Sequence, residues 1–283
     1  MRGAWKISGL AACIVLMAIA AFTVTPAPTS ARVPVPDLVS LRLGAFQHRA
    51  SGDFLRGGKS VRAPVVTTVM APLAVMRHQV TAAEYWRCVD AGACPTIDRD
   101  PGAADLPVVK VSWRDAQAYA AWLSRETSMA FRLPTDAEWA HAAAERFTDD
   151  ALPDGAYGDD PGARMLAIYD AAAGSGGVGT EPQPVGSFGA NAHGLMDMAG
   201  NVWEWTDTCF ARVMLNEHNE AAATTTNCGV RVVEGRHRGY VPDFVRDARA
   251  GGCSAAMQPS NLGFRLVHDD DPRRQHSLWA GIR

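Results

Sequence analysis

The sequence of 283 residues lacks the short motifs by which many enzyme classes are recognised. It has no nucleophile elbow for serine catalysis and no glycine-rich phosphate loop. Neither CxxC nor HxxxH spacing is present, which excludes the commonest zinc-binding patterns. No charge run is long enough to form a polyionic tail, and the formal net charge of −3 at pH 7 argues against nucleic acid as a partner. The function therefore has to be sought in longer patterns.

The N-terminus has the pattern of a targeting segment. Arg2 and Lys6 form a basic start, residues 7–24 are almost wholly apolar, and small residues follow. This order predicts a signal peptide over 1–31 that is removed on export. An uncleaved anchor is the alternative, because the apolar stretch is just long enough to span a bilayer. Either way we expect a periplasmic or secreted protein, with no membrane contact beyond this segment.

Five cysteines remain after the predicted signal peptide. In an oxidising compartment disulfides are the default state of such residues, and an odd number leaves one thiol over. Cys88 and Cys94 are close in sequence and form the first expected pair. Cys209 and Cys228 form the second, closing the loop between them. Cys253 is the remaining residue, either a reactive thiol or an alternative partner for the second pair.

Hydrophobic residues make up 47% of the chain, enough for a buried core. Short apolar runs at 64–70 and 73–76 predict strands. Three helix starts are predicted by capping boxes. In each, a hydroxyl side chain caps the first turn, and an acidic side chain three residues later accepts a hydrogen bond from the backbone amide of the capping residue. Beyond residue 191 the sequence indicates little regular structure. The capping boxes are Thr81–Glu84, Ser112–Asp115 and Thr135–Glu138.

Four phrases occur in a fixed order along the chain, and together they resemble the formylglycine-generating enzyme (sulfatase-modifying factor) family over roughly residues 40 to 268. They are Pro107–Asp115, Arg132–Trp139, Gly194–Thr206 and Ser260–Arg265. The resemblance implies an α+β fold, a variant of the C-type-lectin fold with sparse regular secondary structure.

The same resemblance divides the chain behind the signal peptide. We expect a linker over 32–42, a single sulfatase-modifying-factor-like domain over 43–268, and a polar tail over 269–283.

The third phrase contains a candidate calcium loop. Asp197 and Glu204 flank a glycine turn that can direct carbonyl oxygens inward, and hard cations prefer such oxygen ligands. In the resembling family the matching positions bind calcium, and here they fall on Asp197, Gly200, Val202 and Glu204. We therefore predict one structural calcium ion. The alternative is that the two acids only accept hydrogen bonds from loop amides.

The segment 231–249 departs from the family pattern. The family holds copper(I) there with two cysteines, and these positions fall on Tyr240 and Val245. The family's serine falls on His237, and the glycine before it on Arg236. Because copper(I) requires soft sulfur ligands, copper-dependent formylglycine formation is not expected.

Charged and aromatic side chains take the place of the cysteines. The density of arginine, histidine and aspartate fits a pocket for an anionic or peptide ligand. The alternative for this segment is a solvated surface strand with ion pairs. Trp203, outside the segment, borders the pocket in the resembling family, and its alternative is a place in the core. The candidate pocket residues are Trp203, His237, Tyr240, Arg246 and Arg249.

Three functions remain open at this point. The first is an exported accessory or maturation protein that binds a protein or peptide partner, as the resemblance to the pyoverdine-maturation and nitrite-reductase-accessory members implies. The second is an oxidoreductase of the same superfamily that acts on a peptide-derived or small substrate without the cysteine pair. The third is a lectin-like binding module without catalysis. The sequence does not predict an oligomeric state.

Overall fold

A computed structural model describes five stretches of the chain: 33–149, 162–163, 166–167, 181–247 and 261–269. The predicted signal peptide, Arg249, Cys253 and nearly all of the predicted polar tail lie outside the described residues. No helix in the described part is both long and apolar enough to cross a membrane.

Three α-helices begin at the predicted capping boxes. They are α1 Ala82–Asp90, α2 Trp113–Thr127 and α3 Asp136–Ala143. The side chains of Thr81, Ser112 and Thr135 each accept a hydrogen bond from the third helical amide, and the acid at that position accepts one in return. Both bonds satisfy amides that would otherwise have no partner at a helix start. The predicted helix starts are confirmed.

The strands of the described residues form two larger sheets and a separate two-stranded sheet. In chain order they are β1 Leu38–Leu41, β2 Gly44–Arg49, β3 Asp53–Arg56, β4 Lys59–Val61, β5 Val65–Met70, β6 Leu73–Met76, β7 Phe131–Arg132, β8 Trp203–Leu215, β9 Ala221–Glu234, β10 Gly239–Pro242, β11 Leu262–Gly263 and β12 Val267–His268. The smaller sheet has the order β1-β6-β12-β7. The larger has the order β10-β9-β8-β3-β4, with β11 parallel to β8, and β2 pairs with β5.

Two expectations from the sequence are wrong in detail. The predicted linker 32–42 contains β1, which pairs with β6 over its whole length. The region beyond residue 191 is not poor in regular structure, because β8 and β9 are the two longest strands of the described chain. Much of β9 is exposed and carries alanine and threonine, so it lacks the alternation of apolar and polar residues by which strands are recognised.

The core lies between the sheets and the helices. One cluster packs α2 against the start of β8, with Tyr119, Leu123, Trp205 and Phe264 fully buried or nearly so. A second cluster surrounds Trp139 of α3.

Both predicted disulfides are present. Cys88–Cys94 fixes the end of α1, and Cys209–Cys228 joins β8 to β9 where their register shifts.

Candidate functional site

Glu204 lies at the start of β8 with its carboxylate in the core. Gln79 Nε2 and Arg265 Nη2 donate to its Oε1, both at 2.8 Å. Trp139 Nε1 at 2.8 Å and Arg265 Nε at 2.7 Å donate to its Oε2. Each carboxylate oxygen offers two lone pairs, so these four donors use the full acceptor capacity of Glu204.

Two further predicted calcium ligands, Asp197 and Gly200, are also engaged. The two carboxylate oxygens of Asp197 accept hydrogen bonds from the amides of Gly186 and Phe188. The carbonyl of Gly200 accepts from the amide of Val202 at 2.9 Å and from Gln79 at 3.3 Å. With Glu204 already saturated by buried donors, these residues do not fit a calcium ion in this arrangement. The loop-amide alternative describes Asp197.

Tyr240 occupies the position of the family's first cysteine, on β10. Its hydroxyl accepts a hydrogen bond from the amide of Gly52 at 2.7 Å, and its ring meets that of Phe210 edge-on at 5.2 Å between centroids. Burial raises the pKa of Tyr240 to about 12. Val245, at the second cysteine position, packs against the main core cluster. Both positions are therefore used for packing.

A buried ion network lies beside Tyr240. Arg238 Nε donates to Asp136 at 2.9 Å and to Glu234 at 2.8 Å, and all three side chains are buried. Burial raises the pKa of Glu234 well above its usual value. Hydrogen bonding to Glu234 and the charge of Arg238 hold the pKa of Asp136 low. A single guanidinium thus faces two buried carboxyl groups whose pKa values are shifted in opposite directions.

Trp203 and His237 meet in the interior. The indole Nε1 of Trp203 donates to the carbonyl of His237 at 3.1 Å, and the two rings are edge-on at 5.6 Å. Both residues are buried, at 7% and 5% exposure. A Cβ added at Gly235 would lie 2.7 Å from the Trp203 ring, so the backbone is pressed against the indole. The structure brings these two candidates together, but as packed residues of the core.

Arg246 is paired with a helix cap. Its guanidinium makes two hydrogen bonds to Asp115 of α2, at 2.7 and 2.9 Å, and these bonds raise the pKa of Arg246. Asp243 is paired in the same way with Arg114, at 3.0 and 3.1 Å. Much of the charge in this segment is therefore neutralised within the molecule, as the ion-pair alternative predicted.

An open cavity of about 370 Å³ lies nearby, and the sequence had not indicated it. Its described lining includes two arginines and no acidic residue. Arg236 comes from the segment 231–249 that differs from the family pattern. Arg146 and Thr148 follow α3, Phe188 lies in the loop 184–190, and the remaining residues belong to the candidate calcium loop. The one sequence feature that could have indicated this cavity is Arg236, which stands where the family has glycine. The lining residues are Arg146, Thr148, Phe188, Met198, Ala199, Gly200 and Arg236.

Comparison with known proteins agrees with this fold and with the order of the four phrases. A family model described as the sulfatase-modifying factor enzyme 1-like domain matches residues 23–270. The chain belongs to this family, and the predicted resemblance is confirmed.

Individual relatives differ in their activities. The formylglycine-generating enzyme of Mycobacterium tuberculosis is 43% identical over 216 residues, covering 66% of this chain and 66% of that protein. The hercynine oxygenase of the same organism is 34% identical over 224 residues, covering 73% of this chain and 43% of that protein. The chain thus spans about two thirds of the first relative and less than half of the second.

Among solved structures, PvdO from Pseudomonas aeruginosa superposes with a TM-score of 0.51 at 22% identity. The match covers 83% of this chain and 94% of that one. At this level of identity it supports the fold alone, and the predicted fold class of the formylglycine-generating enzyme type is confirmed.

Proposed function

We propose that this protein is an exported accessory or maturation factor that binds a protein or peptide partner and does not carry out copper-dependent oxidation. The observation that carries this proposal is the fate of the two cysteine positions. Tyr240 is bonded to the backbone of Gly52, and Val245 packs on the core. Neither side chain supplies the sulfur that copper(I) requires.

The surrounding contacts support binding. Reactive groups need freedom to approach a substrate, but Arg238, Asp136 and Glu234 are buried and bonded to one another. Side chains locked in this way support a rigid surface, which lowers the conformational cost of binding.

The second candidate is an oxidoreductase that works without the cysteine pair. The similarity to a hercynine oxygenase over 73% of the chain favours it. The third candidate, a lectin-like module, is supported by the fold class alone. No contact among the described residues favours it over the other two.

Copper-dependent formylglycine formation is tested with purified protein and a peptide containing Cys-x-Pro-x-Arg, with copper supplied. We expect the peptide mass to remain unchanged. Conversion of its cysteine to formylglycine would contradict the proposal.

The binding role is tested by photocrosslinking in the native host. A photoreactive residue replaces Phe244, which is 67% exposed and follows β10, and a control carries it at exposed Arg125 in α2. We expect one discrete crosslinked protein from position 244 and none from position 125. The same pattern from both positions, or no crosslink, would count against a partner at this segment.

Export is part of the proposal and has its own test. The basic start and apolar stretch support a cleaved signal peptide over 1–31. We expect the mature protein in the periplasm or medium, with an N-terminus at Arg32. Full-length protein in the membrane fraction would favour the anchored alternative, and retention in the cytoplasm would refute export.

A further inference from the structure

We propose that the cavity between Arg146 and Arg236 binds the C-terminal carboxylate of a peptide whose last side chain is apolar. This inference rests on the proposed function, because it assigns a chemical group of the partner to a place on the surface.

The charge of the cavity favours an anion. Its described lining contains two arginines and no aspartate or glutamate. Glu145 is the nearest acid in sequence. It lies 3.9 Å from Arg146 Nε and accepts the amide of Ala192 at 3.0 and 3.1 Å. The lining thus carries two guanidinium groups, of which only that of Arg146 has Glu145 beside it, and a positive charge remains for a ligand.

Arg236 supplies the available guanidinium. It is exposed and makes no hydrogen bond or ion pair with the described residues. Its neighbours in the chain are fixed, since Gly235 lies against the Trp203 ring and His237 is buried. An exposed guanidinium on a fixed backbone can form a bidentate pair of hydrogen bonds with a carboxylate.

Arg146 supplies a preorganised second group. Its Nη1 donates to the carbonyls of Phe188 and Gly189, at 3.1 and 3.2 Å, and its Nη2 donates to that of Ala190 at 2.9 Å. These bonds use three of the five guanidinium N–H groups. Of the two that remain, Nε–H lies beside Glu145, and one on Nη2 is left for a ligand. The bonds also hold the side chain in place, which reduces the entropy lost when a ligand binds.

The remaining wall is apolar. Phe188 is 43% exposed, and its ring lies against Gly200, where an added Cβ would approach to 3.2 Å. Met198 and Ala199 continue this wall. A bare inorganic anion would leave the aromatic surface unused. A carboxylate beside an apolar side chain would contact both the arginines and the ring.

The test uses N-acetyl-phenylalanine and its carboxamide, a pair that differs only in the negative charge. Binding to the full mature protein is measured by isothermal titration calorimetry. We expect the acid to bind about tenfold or more tightly than the amide, because charge-assisted hydrogen bonds are lost in the amide. Equal affinities would overturn the proposal.

Two variants place the binding in this cavity. Arg236→Ala should weaken binding of the acid about tenfold, whereas the control Arg125→Ala on α2 should leave it unchanged. Phe188→Ala should weaken it several-fold, and the control Phe244→Ala, also an exposed phenylalanine, should not. Circular dichroism checks that each variant is folded. The assignment would be overturned if the control variants lost affinity for the acid. It would also be overturned if Arg236→Ala and Phe188→Ala bound the acid as tightly as the wild type.

Competition separates this site from a general anion site. Inorganic phosphate should displace the acid only at much higher concentration, and displacement at equal concentration would overturn the peptide assignment. If the acid and amide bind equally while position 244 still crosslinks one protein, the cavity assignment fails and the proposed function stands. If the acid binds more tightly than the amide but no partner is crosslinked, the cavity assignment stands and the proposed partner-binding function fails.

Discussion

At Glu204 the buried charge is balanced by Arg265, and removing one member leaves the other without its counterpart in the core. We expect Glu204→Gln to lower the free energy of unfolding by about 3–5 kcal/mol. Since the carboxylate has no lone pair to spare for a cation, the loss should be the same with calcium and with chelator. Denaturant unfolding measures both.

Glu126→Gln provides the control, because Glu126 is exposed on α2. A wild-type protein that loses stability in chelator would restore the calcium assignment made from the sequence.

Glu234 is predicted to give a distinct pH dependence. Burial raises its pKa above the ordinary value of 4.5. The unfolded chain releases this proton near pH 4.5 and the folded protein retains it to higher pH, so wild-type stability should fall as the pH rises above 4.5. Glu234→Gln keeps the size of the side chain and an acceptor for Arg238 but cannot titrate. We expect its stability to decline less over the same range, as followed by urea unfolding at stepped pH.

Parallel pH curves for the two proteins would contradict the raised pKa. Asp136, whose pKa is lowered, acts in the opposite sense, and its contribution is lost as the pH falls below its ordinary value of 3.8.

These residues also mark the limit of sequence-based prediction. From the spacing of Asp197 and Glu204 we predicted one calcium loop, whereas the structure gives the two carboxylates separate sets of hydrogen-bond donors. The spacing did not indicate their partners, because Arg265 lies 61 residues after Glu204 and Gln79 lies 125 residues before it. Which donor reaches a carboxylate depends on the tertiary fold, and local spacing carries no information about it.

Among the elements, β8 and β9 depend on a covalent link. Cys209–Cys228 spans the place where the register between these strands shifts. For a sequence separation of 19 residues, loop entropy predicts a loss of about 3 kcal/mol when both cysteines are replaced by serine. Thermal unfolding of Cys209→Ser/Cys228→Ser against the wild type measures this.

The shorter Cys88–Cys94 loop serves as the comparison, since its removal should cost less. The loop-entropy account would be contradicted if Cys88→Ser/Cys94→Ser lost more stability than Cys209→Ser/Cys228→Ser.

The elements differ in how far the sequence predicts them. All three capping boxes were correct because both members lie within four residues. The strands β5 and β6 were also indicated by their apolar runs. The long hairpin was missed because its outer part is exposed, so no buried face imposes a pattern on Ala221–Gly229.

For the whole molecule, the strand order matters most. β12 lies between β6 and β7 in the smaller sheet, although it is the last described strand. A chain that stops after residue 260 lacks β11, β12 and Arg265. We expect it to show no cooperative unfolding by circular dichroism, whereas a chain ending at residue 269 should unfold cooperatively.

A cooperative transition in the shorter chain would show that the sheet closes without its central strand. The family resemblance implied the fold class, but the position of β12 could not be inferred from its two residues, because strand order depends on long-range pairing.

The central position of β12 has a consequence for the timing of folding. A chain emerging from the ribosome has β6 and β7 long before the strand that joins them, and Glu204 long before Arg265. The smaller sheet and the buried ion pair can therefore be completed only after residues 265–268 have been synthesised. Until then the nascent chain lacks the strand that joins β6 to β7 and the counter-charge of Glu204.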